Sequence, residues 1–429
     1  MRTLRAEPQV RQARNVMRNC FRASDEWSHM RSSHRGALKR SWWGTQWGAT
    51  VMACAMAGCV EADADQEQRP IPAGTPVEIS EPPHLVVGDD SSDPIHAFHR
   101  VVTPVLLPDG SLAVPLAGEN MIRVFDEDGN LTRTHGGEGE GPGEFVTLAA
   151  AWVDGVVIEA FDSRQRQVTR IHPDGEVEVV RLEGEAVAHG AVPVLEDGTR
   201  AAYGVRAVAP NGRDQLVLHH FTSTGESLGD LLEFSGMRRY EFPGGTGPDP
   251  LSPRAIVRAH GEEIFVAETT DTRIRGIHAS SGTSRIIEWD RALTEFPGDA
   301  RSYAREAALQ RAGSEEVRAA VEERFRALAG DVSVSGFWDF IIDELGFFWI
   351  RPFEPAVHGP DVGGMGGPGP GGTWIVLSPE GEHVAKVDVP GNLEPMAIQA
   401  NSIVGIRRDE RGVESVAVHV VERIGGGEL

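Results

Sequence analysis

The sequence predicts an all-β fold assembled from six repeated units, and three observations predict it. Along residues 101–420 an apolar or alternating run, a Gly-containing tight turn, a second apolar run and another such turn recur six times. The turn residues pair as Gly110 with Gly129, Gly155 with Gly175, Gly198 with Gly225, Gly261 with Gly282, Gly346 with Gly381, and Asn401 with Gly412. Such residues supply the positive φ that two-residue hairpin turns require. Fifty glycines and 27 prolines against 7% aromatics suit many short strands and turns. One unit alone buries only part of its apolar surface, so the repeat predicts radial or serial stacking of small antiparallel sheets. At 429 residues and 40% hydrophobic content, one main domain with a large core is expected.

The first element is an address. Arg31, Arg35, Lys39 and Arg40 precede SWWGTQWGATVMACAMAG, which carries no charge and is followed by Cys59. Positive, apolar and small-residue segments in that order are those of an export signal. Met56, Ala57, Gly58 and Cys59 resemble the lipobox of bacterial lipoproteins, which implies cleavage before Cys59 and its lipidation. A spanning helix over 41–58 would fall short of about 20 apolar residues. Met30 stands at a natural distance ahead of the positive stretch, so translation is expected to start there, leaving 1–58 as signal region. More than one acyl chain on Cys59 gives a durable membrane anchor. EADADQEQRPIPAGTP follows, and its polar, Pro-rich composition predicts a disordered tether over 59–80.

The formal net charge is −23, although residues 1–58 are basic, so the body is more acidic still. Such a body repels phosphate backbones, and no basic stripe with interleaved aromatics offsets this, which argues against nucleic acid. Cys20, Cys54 and Cys59 all precede residue 60, so the body can hold neither a disulfide framework nor a thiolate metal site.

In the body, HLVVGD (84–89) reads as a strand with no hairpin partner nearby, able to complete the last sheet of a closed ring. Unit one, VTPVLLPDGSLAVPL and NMIRVFDEDGNLTRTHG, shows the clearest alternation. Unit two reads TLAAAWVDGVVIEAFD and QVTRIHPDGEVEVVRL. Unit three reads AVPVLEDGTRAAYGV and LVLHHFTSTGESLGDLL, interrupted around Pro210 to Gly212. Unit four reads AIVRAHGEEIFVAET and DTRIRGIHASSGTSRIIEW. The insertion 291–335 turns to Ala, Glu and Arg. Asp299 and Ser314 are placed to cap two helices, with Val317, Val321, Phe325 and Leu328 on one face of the second and Gly330 to stop it. Unit five, FWDFIIDELGFFWIRPF and TWIVLSPEGEHVAKVDVP, is split by a Gly- and Pro-rich loop. Unit six is MAIQANSIVGIRRDERGVESVAVHVVER.

GEGPGEF, residues 139–145, stands between units one and two, and FDSRQRQVTRI and AETTDTRIRGI place acidic residues ahead of an Arg and a β-branched position. In these features residues 84–424 resemble NHL-type six-bladed β-propellers. The insertion before unit five and the closing VESVAVHVVER resemble uncharacterised bacterial lipoproteins carrying that propeller. Unit three lacks the acidic residue of the family's middle loop, and unit one carries Gly118, Glu119 and Asn120 there. The resemblance implies an all-β, six-bladed β-propeller over 81–425 with the helical insertion before the fifth blade.

Motif chemistry is sparse. GGEGEGPGEF lacks the Lys-Ser/Thr ending and following helix of a phosphate loop, so a blade connection with Phe145 as a plug explains it better. DEDGN (126–130) lacks the distal Glu of a calcium loop and reads as a hairpin turn. His219 and His220 are adjacent in a strand and point to opposite faces, so they cannot grip one metal. No Gly-x-Ser-x-Gly elbow, His-Glu-x-x-His pair or catalytic cysteine appears, and no catalytic residue is assigned.

In the propellers this chain resembles, the innermost strands line a central channel and their entrances form one mouth. Here those entrances carry His99, Arg100, Phe145, Thr147, His189, Arg254, Trp338, Asp339 and Glu394. The expected function is an extracytoplasmic, membrane-tethered module, monomeric, that binds a protein, peptide or glycan without a cofactor. The alternative is a metal-assisted lactonase, hydrolase or lyase holding calcium or another divalent cation at the mouth, and a third reading is a purely structural envelope component.

Overall fold

Alternating burial along short strands shows how each repeat folds: in Leu131–Gly136 half-buried and exposed positions alternate, and in His383–Val389 Ala385, Val387 and Val389 are buried while Lys386 and Asp388 are exposed, as strands with two different faces require. The computed structural model describes residues 77–423 apart from 91, 185–188, 209–211, 243–244, 250, 297, 328–334, 356–370, 400 and 410–411. The export signal, Cys59, most of the tether, Leu328, Gly330 and most of the Gly/Pro-rich loop lie outside the described residues. Among the described residues no helix is long and apolar enough to cross a membrane.

Six antiparallel sheets form, one per repeat, each laid out in chain order from an inner strand outward. The inner strands are Val105–Leu106, Leu148–Asp154, Gly190–Ala191, Ala255–His260, Phe337–Ile342 and Leu393–Gln399. This is a six-bladed β-propeller. All eleven turn glycines named above have positive φ, between 59° for Gly155 and 95° for Gly381. DEDGN is a turn closed by the Asp126 carboxylate, which accepts from the amides of Asp128 and Asn130 at 3.1 and 2.8 Å.

The core is divided among six seams between neighbouring blades. Val114 and Phe125 of blade one meet Val404 and Val416 of blade six. Val124 of blade one meets Ile158 and Ala160 of blade two, with Phe145 fully buried among them. Phe161 meets Phe221 between blades two and three, Leu218 meets Ile264 between three and four, Phe265 meets Phe348 between four and five, and Trp374 meets Ile403 between five and six. Each fully buried side chain of this size contributes on the order of 1.5–3 kcal/mol.

Glu414–Arg423, the third strand of blade six, is flanked by two strands from the start of the propeller. Leu85–Val87 pairs with it from Leu85 opposite Val418, as the sequence anticipates. Val77–Ile79, read from sequence as the end of the tether, also pairs with it, from Val77 opposite Arg423. Ser80 ties the join: its amide donates to the Val420 carbonyl at 2.9 Å, its hydroxyl accepts from the Val420 amide at 2.9 Å, and its carbonyl meets His419 Nδ1 at 2.7 Å.

Blade three departs most from its expected form. Its inner strand is only Gly190–Ala191, while Arg200–Val208, Arg213–Phe221 and Ser227–Phe242 run long and Gly245–Pro248 adds a fifth strand. In the insertion, α1 (Ala300–Arg311) begins at Asp299, whose carboxylate accepts from the Arg301 and Ser302 amides. α2 (Glu315–Ala327) begins after Ser314, whose hydroxyl accepts from the Val317 amide at 3.2 Å. Val321 and Phe325 are buried as their spacing implies, against Ala304, Ala308, Leu251 and Phe353. Val317 is exposed, because the apolar stripe meets its partners only from the second turn onward.

Three inner strands carry a bulge near their start. Register shifts between Leu148 and Ala150, between Phe337 and Asp339, and between Pro395 and Ala397 leave Ala149, Trp338 and Met396 without a ladder partner. A bulge bends the strand and re-aims neighbouring side chains.

Candidate functional site

The inner strands surround a central cavity of about 340 Å³, to which all six blades contribute. Its two halves differ. Blades one to three supply Val105, Ala150, Trp152, Val192 and Tyr203, an apolar and aromatic wall with His189 at its edge. Blades four to six supply Arg258, Asp339, Arg351 and Glu394 beside Ile341 and Met396.

Asp339 stands at the centre of the charged half. Its Oδ1 accepts from Arg258 Nη2 at 3.0 Å, and its Oδ2 lies 3.8 Å from Arg254 Nη2. Arg254 is held by the Trp338 carbonyl, which accepts from Nε at 3.1 Å and Nη2 at 2.7 Å, and its guanidinium lies 3.8 Å from the centre of the Trp338 ring. The bulge makes this possible, because the unpaired Trp338 leaves its carbonyl to the arginine. The stacking adds a cation–π contact. Arg351, 5% exposed, lies 5.9 Å from the centre of the Trp374 ring.

Glu394 faces Arg408, whose Nη1 is 3.3 Å from Oε2, while Nη2 of the same arginine binds Glu414 Oε1 at 2.6 Å. The other Glu414 oxygen accepts from the Val101 amide at 2.7 Å, which fastens blade six to blade one. Burial raises the Glu394 carboxyl to about 7 despite the opposing pull of Arg408 and Arg351, with Asp339 adding to the rise. Burial likewise pushes Arg254 down from the usual guanidinium value; Asp339 opposes this, and Arg258 and Arg351 reinforce it. Arg351 is pushed down by burial against the pull of Glu394, Asp339 and Glu354. Burial raises the Tyr203 phenol, which stays a hydrogen-bond donor at neutral pH.

Of the mouth residues expected from sequence, His189, Asp339 and Glu394 lie on the cavity wall, with Arg254 directly behind Asp339. Trp338 is turned away, stacked on Phe353 beneath the helical insertion. Phe145 is fully buried in the seam between blades one and two, where it acts as a plug. Thr147 is exposed and its amide donates to Asp162 Oδ2 at 3.0 Å. His99 and Arg100 are exposed in the loop leading into blade one, and neither lines the cavity. Sequence reasoning missed Arg258, Tyr203, Arg351, Trp374 and Arg408. A detectable signal existed for two of them, since Arg258 and Arg351 interrupt the apolar runs AIVRAH and FFWIRPF.

GEGPGEF closes on itself: the Glu144 carboxylate accepts from the Gly141 amide at 2.9 Å, taking the place an anion would occupy. His219 Nδ1 pairs with Asp230 at 2.6 Å, whereas His220 Nε2 bonds Thr199 Oγ1 at 2.8 Å, so the two rings serve separate partners. Among the described residues no three His, Cys, Asp or Glu side chains come together as a metal cradle. Asp339 and Glu394 already face guanidiniums, so the wall does not fit calcium or another divalent cation. A further depression, of about 260 Å³ between blades three and four, is a groove lined by Glu233, Glu268, Asp271, Arg273 and Arg275.

No protein-family model matches the chain, and no curated protein matches it. Among solved structures it is similar to a member of the DUF4221 family from Bacteroides vulgatus, at 9% identity over 81% of this chain and 99% of that one, with a TM-score of 0.49. It is also similar to a proposed exported protein from Bacteroides fragilis, at 13% identity over 81% and 96%, with a TM-score of 0.48. A gluconolactonase from Xanthomonas campestris shares 11% identity over 83% and 99%, with a TM-score of 0.41. Likeness at these identities and scores says nothing of activity.

Proposed function

We propose that this propeller is an extracytoplasmic lipoprotein of the NHL type that acts as a binding module, anchored through Cys59 and taking part of a peptide or protein into its central cavity. The observation that carries the reading is the cavity itself: six blades from distant parts of the chain converge on one space, apolar on one side and charged on the other. Pockets of a few hundred Å³ with an apolar lining and a few convergent polar groups are the usual form of ligand sites. The signal pattern before Cys59 supports placement outside the cytoplasm.

Filling the space tests the reading. Ala150→Trp places an indole in the cavity without disturbing a charge, and mass spectrometry of the natively purified protein should find a retained peptide or protein lost from the variant. Identical retention by the two proteins would overturn it. A hydrolase or lyase reading has one observation in its favour, the Glu394 carboxyl near 7, in the range suited to general acid–base catalysis. Under the binding reading Glu394→Gln keeps the ligand, and no turnover exists for it to abolish.

A further inference from the structure

Arg254, Arg258 and Arg351 gather around one carboxylate, Asp339, on the charged half of the cavity. Glu394, the other carboxylate on the wall, divides Arg408 with Glu414. Glu354, which partly offsets Arg351, is exposed. Arg351 is buried and Arg254 and Arg258 are half-buried, so each loses part of its hydration, and their mutual repulsion adds to that cost unless an anion joins them. Arg254 carries the mark of both, since burial and its neighbours Arg258 and Arg351 all disfavour its charged form. Glu394 takes up a proton near neutrality, which withdraws negative charge from the same wall. Opposite stand Trp152, Tyr203, Ala150 and Val192, which offer no charge to pair with a cationic group.

We propose that the cavity binds an organic carboxylate with an apolar body, its carboxylate against Arg258 and Arg351 and its body against Trp152 and Tyr203. The proposal rests on the binding reading above and names the chemistry of the ligand. A free aliphatic or aromatic acid and the C-terminus of a peptide ending in an apolar residue share this chemistry. Carboxylates suit guanidinium groups because paired N–H donors match paired oxygens. The cavity volume admits one such group and its side chain, while the rest of a peptide would lie outside the mouth.

The test is calorimetric titration of the purified propeller at pH 6.5 with four probes: 3-phenylpropionate, its methyl ester, a tetrapeptide ending in Phe with a free carboxylate, and the same peptide amidated. The expected result is binding of at least one carboxylate probe with at least tenfold loss in its neutral counterpart. The acid alone sufficing marks a free organic acid as the ligand, and the free peptide alone binding marks a C-terminus. Arg258→Gln should weaken the carboxylate probe at least tenfold and Arg258→Lys less, with an unchanged circular dichroism spectrum. Equal binding of charged and neutral probes, abolished by Ala150→Trp, would overturn the carboxylate assignment and leave the cavity reading standing. Absence of binding by every probe overturns the assignment as well, and the reading of the cavity then stands or falls on the retention experiment alone.

Discussion

Glu159 and Arg200 show what a single buried charge does to this fold. The carboxylate is fully enclosed and the guanidinium is 2% exposed, joined by contacts of 2.8 and 3.1 Å across the seam between blades two and three. The same carboxylate accepts from Trp152 Nε1 at 2.7 Å, so it also fixes a ring on the cavity wall. Glu159 also faces Arg170 Nε at 3.4 Å, whereas Arg200 has no other carboxylate against it among the described residues, so Glu159→Leu should cost about 3–5 kcal/mol in urea denaturation and adding Arg200→Met should recover most of it. Glu394 makes a second prediction. Its carboxyl ordinarily titrates at 4.5 but holds its proton in the folded protein to about 7, facing Arg408, Arg351, Asp339 and Arg254. Between these values the folded state binds more protons than the unfolded one, so stability falls as pH rises through the window and levels above it. Glu394→Gln should flatten that part of a pH–denaturation profile and leave the protein more stable than wild type at pH 8. Asp339 and Glu394 were legible from strand entrances alone, but their arginine partners were not. A strand sequence fixes which residues share a face, and it says nothing about which blade's arginine will arrive from 81 residues away.

At the scale of elements, turns and helix caps could be read because their chemistry is local. A glycine at positive φ, or a carboxylate accepting from amides two and three residues onward, needs no knowledge of the rest of the fold. The bulges in the inner strands could not be read, since their residues Ala149, Trp338 and Met396 have nothing in common. The fifth strand of blade three, Gly245–Pro248, escaped for the same reason that Val77–Ile79 did, because a short strand at an edge carries a weak apolar pattern. The helical insertion gives a prediction at this scale. Phe325 is buried against Leu251, Phe353 and the alanines of α1, so Phe325→Ala should cost about 3–5 kcal/mol in the insertion's local stability. Hydrogen exchange should show it as faster exchange of the α1 and α2 amides, with the blade amides unchanged away from Trp338. Trp338 belongs to that same apolar cluster and also supports Arg254, so loosening the insertion should disturb the mouth as well.

For the whole molecule, the repeat dictated six sheets, and their closure depends on the two strands that flank Glu414–Arg423. Every blade packs on two neighbours through its seams, so an opened ring would expose apolar surface on both sides of the break. Removing residues 1–76 should leave the melting transition sharp. Removing residues 1–88 takes away both Val77–Ile79 and Leu85–Val87 and should lower the midpoint by about 10 °C or more and broaden the transition, as differential scanning calorimetry would record. The irregular register of three inner strands has a different kind of consequence. Side chains alternate along a strand, so a deletion in a regular stretch exchanges the faces of everything beyond it, whereas a deletion at a bulge restores the regular ladder and removes only what the extra residue supplied. Shortening the chain by Trp338 would straighten the fifth blade's first ladder with Asp339 still opposite Arg351, and would take from Arg254 the carbonyl that holds it beside Asp339. The specificity of the opening is therefore set as much by how many residues lead into it as by which residues they are, and a family of such rings could change its preferences by gaining or losing single codons.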